Sequence, residues 1–244
     1  MMLQRILFIL VLLACMPAPA FADFDAGKKA YDKKDWPAAI MNLRPLAETG
    51  DDRAMILLGN MYASGYGVIP SHKEAFDLYK RAAVEKNNPQ AMDALGAIYV
   101  SATGVDQNIK TALQWFLRSA SLGDQKGAFF YATILAEGNK TPQNRITPDP
   151  YTAYKWFRIA ASEKQNAKYQ SYAAKISHGI AVKLLSAAQV AQADKEVAAW
   201  KPVDVKSLGP VPEDPPQAAA QIKNSAPPPA APNTPLPHSG PQPK

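Results

Sequence analysis

The side chains that most often carry chemistry are few in this chain and lie far apart in its sequence. Its three histidines are His72, His178 and His238, and its single cysteine is Cys15. A metal centre or an activated nucleophile needs several such groups held together, and the chain has no zinc-binding, nucleophile-elbow or phosphate-loop motif. We therefore interpret His72 as a solvated or N-terminal helix residue and His178 as a residue near a helix end.

Adjacent carboxylates could supply general acid and base catalysis. They occur at Asp51-Asp52, in a predicted turn, and at Glu213-Asp214, in a Pro-rich segment. Neither place can hold two carboxylates at the fixed separation that such catalysis requires. The sequence therefore predicts a protein that is not an enzyme and that has no cofactor and no metal site. Its formal net charge of +6, without a block of Lys and Arg, does not indicate nucleic-acid binding.

A nine-residue pattern occurs twice and predicts helical repeats. Ala-Met-Ile-Leu-Leu-Gly-Asn-Met-Tyr at residues 54–62 returns as Ala-Met-Asp-Ala-Leu-Gly-Ala-Ile-Tyr at residues 91–99, a period of 37 residues. Periods of this length, built from two amphipathic stretches, are typical of stacked helical hairpins, each of which buries its apolar face against its neighbours. Such arrays bind other molecules more often than they catalyse reactions.

The second helices of these hairpins align as well. Small residues recur at one position, namely Ala39, Ala75, Ala112 and Ala153, and bulky residues recur four positions later, namely Leu43, Tyr79, Phe116 and Phe157. In the first helices, Gly59 and Gly96 share one position. Glycine costs about 1 kcal/mol in a helix interior relative to alanine. Its recurrence therefore predicts a close approach between helices.

These motifs carry a resemblance to a known family. The pattern Ala-x3-Leu-Gly-x2-Tyr, then Gly-x-Gly-Val at residues 65–68, then Lys-Glu-Ala-x2-Leu-Tyr-Lys-Arg-Ala-Ala at residues 73–83, resembles the Sel-1-like repeat family, a relative of the tetratricopeptide repeat. The resemblance implies an all-α fold, an α/α superhelical solenoid of tandem helical hairpins. The array is expected over residues 23–168, with a capping unit at 24–53 and repeats at 54–90, 91–126 and 127–168.

Two units depart from the family pattern. The first lacks the Leu-Gly pair, so we expect it to act as an N-terminal cap. The third has five more residues than its equivalent between Leu135 and Ala153, including Pro142, Pro148 and Pro150. This insertion is expected to loop out, and its residues 139–150 are a second candidate for partner binding because long loops in repeat proteins commonly carry binding.

The N-terminal residues 1–22 are typical of a secretory signal peptide. Arg5 precedes an apolar run, two prolines follow it, and Ala20-Phe21-Ala22 offers a cleavage site. The run is shorter than the ~20 residues that a membrane-spanning helix needs. We therefore expect cleavage after Ala22 and a periplasmic or secreted protein. The alternative is a lipoprotein anchored through Cys15, which follows Leu12-Leu13-Ala14.

The C-terminal part of the chain divides into two segments. Residues 169–200 are alanine-rich and helical in pattern, and we expect them to close the array by covering its last apolar face. From Lys201 onward the chain has 13 of its 22 prolines. Because proline blocks helix and sheet pairing and favours polyproline II, residues 201–244 are expected to form a disordered, unpacked Pro/Ala-rich tail.

The resemblance also implies a binding groove, lined by the third, seventh and tenth positions of each first helix. In this sequence they are Ile56, Asn60, Ala63, Asp93, Ala97, Val100, Phe129, Thr133 and Ala136. The set is mostly small and apolar, with Asn60, Asp93 and Thr133 as polar anchors. It predicts a groove for an extended or helical segment of another protein. The alternative interpretation is that these residues do not bind a partner, because the C-terminal helices cover them or because they contact only other residues of the array.

The resulting prediction is a non-enzymatic scaffold or adaptor of the bacterial periplasm that binds other proteins. Two alternatives remain at this stage. One is a binding protein or enzyme associated with the cell wall, for which peptidoglycan would be a partner. The other is a secreted factor that acts on a host cell, with the Pro-rich tail as a spacer.

Overall fold

The computed structural model describes residues 22–162 and 164–214. The predicted signal peptide, apart from Ala22, and tail residues 215–244 lie outside the described residues. Over the described part the all-α prediction is confirmed, with one isolated β-bridge between Asn139 and Ile146. The helices are α1 (Phe24–Asp32), α2 (Trp36–Thr49), α3 (Asp52–Ser64), α4 (His72–Glu85), α5 (Pro89–Ser101), α6 (Ile109–Ser121), α7 (Gln125–Glu137), α8 (Pro150–Ser162), α9 (Ala167–Leu184) and α10 (Ala187–Ala199), followed by a short 3-10 helix (Val205–Ser207).

The helices α1 to α8 form four hairpins. Each odd-numbered helix, called here an A helix, packs on the even-numbered B helix that follows it, and each B helix packs on the next A helix. Every A helix after the first begins at an Asp or Asn whose side chain accepts backbone N–H groups of the first turn, namely Asp51, Asn88, Asp124 and Asn166. These caps satisfy donors that have no partner inside the helix, and so they set where each helix begins.

One backbone hydrogen bond closes each of three hairpins in the same way. The N–H of Ser71 donates to the carbonyl of Tyr62 (3.0 Å), and the N–H of Asn108 donates to that of Tyr99 (3.0 Å). The equivalent bond in the next hairpin runs from Asp149 to Leu135 (2.8 Å). The insertion in the third repeat therefore leaves the closure of its hairpin unchanged.

The predicted close approach of helices at the recurring glycines is confirmed. A Cβ atom on Gly59 would lie 2.7 Å from the ring of Tyr79, one of the aligned bulky residues of the B helices. The first hairpin follows the same rule, because a Cβ on Gly27 would lie 2.8 Å from Leu43. Although it lacks the Leu-Gly pair, the first unit packs its two helices as the repeats do.

The insertion loops out between α7 and α8, as expected, but it does not project freely into solvent. It returns to the preceding repeat, where the Asn144 side chain is 7% exposed. Its Oδ1 accepts the N–H of Ile109 at the start of α6 (2.9 Å), and its Nδ2 donates to the carbonyl of Gln107 (3.2 Å). The insertion is held because a polar side chain inside it satisfies backbone groups at a helix start.

The two C-terminal helices play different parts. Helix α9 packs on α8 and α7 and continues the row of A helices, whereas α10 packs on the B helix α8. Polar contacts hold α10 there, including the bond from the Tyr151 hydroxyl to Glu196 (2.9 Å). We expected both helices to cover the last face of the array. Helix α9 lies over α8 at the end of the array, and its own Ile176 and Val182 are exposed.

Residues 201–214 pack against the array, which corrects the prediction of an unpacked tail for this part. The Val203 N–H donates to the carbonyl of Ser121 (2.8 Å), and Val211 packs on the hydrophobic core. Proline excludes this segment from a sheet ladder. An extended chain can nevertheless be held by single backbone bonds and by its side chains, and these contacts are not visible in composition.

Candidate protein-binding surfaces

The A helices present one continuous surface, called here the A-helix face. Asn88 at the start of α5 donates to Asp52 at the start of α3 (2.6 Å). Helix α5 also contacts α7, and α7 contacts α9. The helix starts are therefore aligned along one edge, and side chains at equivalent positions form rows across the face.

The structure divides the nine predicted groove residues into two groups. Ile56 and Asp93 are 9% and 1% exposed, so they pack inside the array and do not line an open groove. Both occupy the third position counted from Ala54 or Ala91, which is buried in α3 and α5 and half-buried at Phe129 in α7. The fourth position is half-buried in all three helices, at Leu57, Ala94 and Phe130. The other seven predicted residues are half-buried: Asn60, Ala63, Ala97, Val100, Phe129, Thr133 and Ala136. Their role in binding stays a prediction.

Two predicted polar anchors make hydrogen bonds inside the array. The Asn60 Oδ1 accepts the hydroxyl of Tyr79 (2.7 Å), which links the helices of one hairpin. The Thr133 hydroxyl donates to the carbonyl of Phe129 one turn earlier (2.8 Å). Burial raises the pKa of the Tyr79 hydroxyl, so it stays protonated and able to donate. These side chains thus have structural partners already.

The third predicted anchor, Asp93, is a buried carboxyl group. Neither of its oxygens forms a hydrogen bond of normal geometry within the described part of the chain. The nearby hydroxyl of Ser119 donates instead to the carbonyl of Pro89 (3.1 Å). Burial, and then the charge of Asp124, hold the pKa of Asp93 well above its usual range. The environment therefore favours the neutral acid.

Half-buried aromatic side chains form a cluster on the C-terminal half of the A-helix face. We call Phe129, Phe130 and Tyr169 the aromatic cluster. The ring of Phe129 lies 5.8 Å from that of Phe130 and 5.2 Å from that of Tyr169, measured between centroids. The Lys126 ammonium lies 5.9 Å from the Phe130 centroid. Sequence reasoning selected Phe129 and missed the other two rings, although the run Phe129-Phe130-Tyr131 indicated that one aromatic must face outward.

The two histidines in the described part of the chain, His72 and His178, lie on separate helices. His72 begins α4, as expected, but it is buried against the turn at Gly104 and is not solvated. His178 is exposed in α9, several residues before its end, and lines a cleft of about 480 Å³ with Arg158 and Ser177. Between residues 22 and 214, leaving out residue 163, no three His, Cys, Asp or Glu side chains are grouped so that they could hold a metal ion. In the same region no helix is both long and apolar enough to span a membrane.

Stacked hairpins with repeating contacts between helices define the α-solenoid class of protein. The Sel1 repeat family matches residues 52–83, 89–124 and 126–164. The resemblance seen in the sequence is thus confirmed, and the chain carries three Sel1 repeats. Sel1 repeat proteins generally act as scaffolds for protein interactions, and their fold is typically non-enzymatic.

Solved structures with this fold include bacterial proteins. A Sel1 repeat protein from Oxalobacter formigenes is 26% identical with a TM-score of 0.52, over 66% of this chain and 63% of that protein. A protective antigen of uropathogenic Escherichia coli, which displays an SLR fold, is 25% identical with a TM-score of 0.58, over 70% of this chain and 35% of the antigen. This chain therefore spans less than two thirds of the length of either protein. A comparison with curated proteins found no match.

Proposed function

We propose that this protein is a non-enzymatic scaffold of the bacterial periplasm, which binds other proteins through its A-helix face. The aromatic cluster is the observation that carries this proposal. Its rings are held by packing on one another and on the core residues Phe116 and Phe157, yet they remain partly open to solvent. Aromatic side chains that are already ordered lose little conformational freedom on binding, and they dominate the energetics of many interfaces.

The partner best suited to this face is a helical or extended segment with apolar side chains. Small residues at Ala94 and Ala97 leave space beside the cluster on the neighbouring helix α5. Lys126 adds a positive charge at the edge of the rings. An apolar anchor surrounded by a few polar contacts is the common arrangement in such interfaces.

Export from the cytoplasm is supported by the sequence of residues 1–22. After cleavage behind Ala22 the chain would contain no cysteine, so its stability would depend on helix packing alone. Edman sequencing of the protein recovered from a periplasmic fraction is expected to begin at Asp23. Incorporation of labelled palmitate that is lost in Cys15→Ala would contradict this processing and would indicate the lipoprotein alternative.

The binding proposal is tested by capture from the native envelope. Tagged wild-type protein is compared with Phe130→Ala, which removes a ring of the aromatic cluster, and with Ile69→Ala, which truncates a side chain that is 87% exposed in a loop. We expect Phe130→Ala to lose the specific partners and Ile69→Ala to keep them. Thermal melting checks that both variants stay folded.

Two results would contradict the proposal. One is the capture of the same proteins by all three forms. The other is co-sedimentation of this protein with isolated peptidoglycan when no other protein is present. That result would favour the cell-wall alternative.

A further inference from the structure

Two aspartates of the C-terminal segment are bound by the array in the same way. The Asp194 carboxylate in α10 accepts the hydroxyl of Tyr154 (2.8 Å) and lies 3.5 Å from the guanidinium of Arg158. Twenty residues later, Asp214 accepts the hydroxyl of Tyr99 (2.8 Å) and pairs with the ammonium of Lys80. Each aspartate is thus held by one tyrosine and one basic side chain.

Residues 201–214, called here the strap, run from α8 across α6 to α4. Near its start, the Val203 N–H donates to the carbonyl of Ser121 at the end of α6 (2.8 Å). Near its middle, the Arg118 guanidinium of α6 donates to the carbonyl of Gly209 (2.6 Å). Asp214 reaches Lys80 of α4 at its end. The strap therefore crosses consecutive B helices, and its backbone is extended at Asp204 and Leu208 on either side of the short 3-10 helix Val205–Ser207.

The basic residues follow the repeat register. Arg158 and Lys80 occupy the same position of their B helices, directly after the aligned bulky residue, and Leu117 of α6 stands between them. Leu117 lines the cleft under the strap with Leu208 and Val211. At this position the B helices therefore present a basic, an apolar and a second basic side chain in succession, Arg158, Leu117 and Lys80. We call these three residues the B-helix row. An extended chain matches this row when it carries an apolar residue followed by an acid.

The row continues beyond the strap. The equivalent residue of α2 is Arg44, which is exposed and has no hydrogen bond or ion pair within the described residues. The chain has no Asp or Glu after Asp214. A partner segment with a second acid could therefore engage Arg44, whereas the side chains of this chain beyond Asp214 could not.

The strap is held by few contacts. Residues 201–207 are exposed, and a cleft of about 580 Å³ remains between the strap and α6. The Lys80–Asp214 ion pair is only partly covered, with the Lys80 side chain 42% exposed and the Asp214 side chain 16% exposed, and such pairs contribute modestly to stability. The strap therefore has few contacts to lose when it leaves. Its advantage is that it belongs to the same chain, which gives it a high effective concentration at the site.

We infer that the B-helix row is a binding site for an extended, proline-containing segment of another protein that carries a carboxylate, and that the strap occupies this site until such a segment displaces it. The inference goes beyond the proposed function, because it concerns a different surface. It would hold even if the A-helix face bound nothing. The strap is the evidence for the chemistry of the partner, since it shows which kind of chain the row accepts.

The test uses a labelled peptide with the sequence of residues 201–216, titrated by fluorescence anisotropy onto the full chain without its signal peptide. Asp214→Asn removes the charge that holds the strap. We expect this variant to bind the peptide about tenfold more tightly than wild type does, as when an occluded site becomes available. The neighbouring Glu213→Gln serves as the matched control and is expected to behave as wild type.

Two further measurements assign the effect to the B-helix row. Adding Lys80→Gln to the Asp214→Asn chain should abolish the gain in affinity. Hydrogen exchange at the Val203 amide should become faster when the peptide is added to wild type, because the strap leaves Ser121. Thermal melting confirms that the variants are folded.

Three results would overturn the inference. The first is equal affinity of the peptide for wild type and Asp214→Asn. The second is equal affinity of a control peptide in which Asp214 is replaced by Asn. The third is a wild-type dimer in light scattering that the peptide dissociates, since the row would then serve a second copy of this chain.

Discussion

The ring of Phe116 lies directly against the backbone of Gly96. A Cβ atom added to Gly96 would come within 2.7 Å of the ring carbons Cε1 and Cζ. Phe116 is fully buried and contacts Phe130 of the next A helix, so its ring has no free space into which it could move. This contact joins the two helices of one hairpin and also connects that hairpin to the aromatic cluster.

Replacing Gly96 by alanine is expected to destabilise the protein. Alanine favours the helix by about 1 kcal/mol over glycine, but overpacking a well-filled core costs typically about 1–3 kcal/mol. Because the ring is enclosed, we expect the overpacking to be the larger effect. Urea denaturation of Gly96→Ala should therefore show a lower free energy of unfolding than wild type.

Gly179 provides the matched control for this substitution. It lies in α9, and a Cβ there would meet no atom within 4 Å. Gly179→Ala should thus stabilise the protein by up to about 1 kcal/mol through helix propensity alone. Equal effects of the two substitutions would show that the ring of Phe116 does not require the glycine.

Much of the array could be predicted because its contacts repeat along the sequence. Gly59 and Gly96 recur at one position, so a close approach between helices at these glycines followed from alignment alone. The bulky residues Tyr79 and Phe116 recur as well, but the alignment did not show that each glycine faces one of their rings. Gly27 makes the same approach to Leu43, but an alanine precedes it in place of leucine. The pattern therefore did not reveal that the first unit packs as the repeats do.

Two of the features that were missed rest on single contacts between distant parts of the chain. Asn144 accepts the N–H of Ile109 in the preceding repeat, and Asp214 reaches Tyr99 and Lys80. No periodicity marks such residues. The burial of Ile56 and Asp93 was missed for another reason, since a shift of one position turns a helical side chain by about 100° from the groove into the contact between helices.

Asn144→Ala is expected to destabilise the protein although it lies in a loop. The substitution removes the acceptor for the Ile109 N–H and the donor to the Gln107 carbonyl, both near the start of α6. The N-cap of α6, Asn108, stays in place, so the cost is that of leaving buried groups without partners, about 1–3 kcal/mol. The Ile109 amide should also exchange its hydrogen faster.

The adjacent Arg145→Ala is the control, because Arg145 is exposed in the same loop. We expect it to leave both the free energy of unfolding and the exchange of the Ile109 amide unchanged. If Asn144→Ala behaved like this control, the insertion would not stabilise the neighbouring repeat.

The attachment of α10 should weaken in acid. Hydrogen bonds from Lys155, Gln192 and Tyr151 lower the pKa of Glu196 to about 2. Because this folded-state pKa lies below the ordinary one, the stabilisation is present above the ordinary pKa and is lost as the pH falls toward about 2. The difference in melting temperature between wild type and Glu196→Gln should therefore shrink over this range.

Glu48→Gln in α2 tests whether this effect belongs to Glu196. Glu48 is exposed and has no hydrogen bond or ion pair in the part of the chain that the structure describes. Its substitution should change the melting temperature little at any pH in this range. A difference for Glu196→Gln that stayed constant with pH would contradict the assignment.

Asp93→Asn is expected to stabilise the protein at neutral pH. Burial raises the pKa of the Asp93 carboxyl well above its usual range, and the negative charge of Asp124 raises it further, while Lys126 opposes the shift. The folded state therefore binds the proton more tightly than the unfolded state. The contribution of Asp93 to stability is then fully present below its ordinary pKa and is lost as the pH rises through the folded-state pKa.

Asparagine keeps the shape of the neutral acid and cannot ionise, so it avoids this loss. At pH 7 the free energy of unfolding of Asp93→Asn should exceed that of wild type, because the wild-type protein loses the proton-linked contribution of Asp93 and the amide has no such contribution to lose. At pH 3 the two proteins should have nearly equal stabilities, because Asp93 is then protonated in both folded and unfolded chains. The exposed Asp25→Asn should show no such trend. A wild-type protein more stable than Asp93→Asn at pH 7 would mean that the carboxylate is ionised in the folded state and finds compensation inside the array, which would restore Asp93 as a charged anchor.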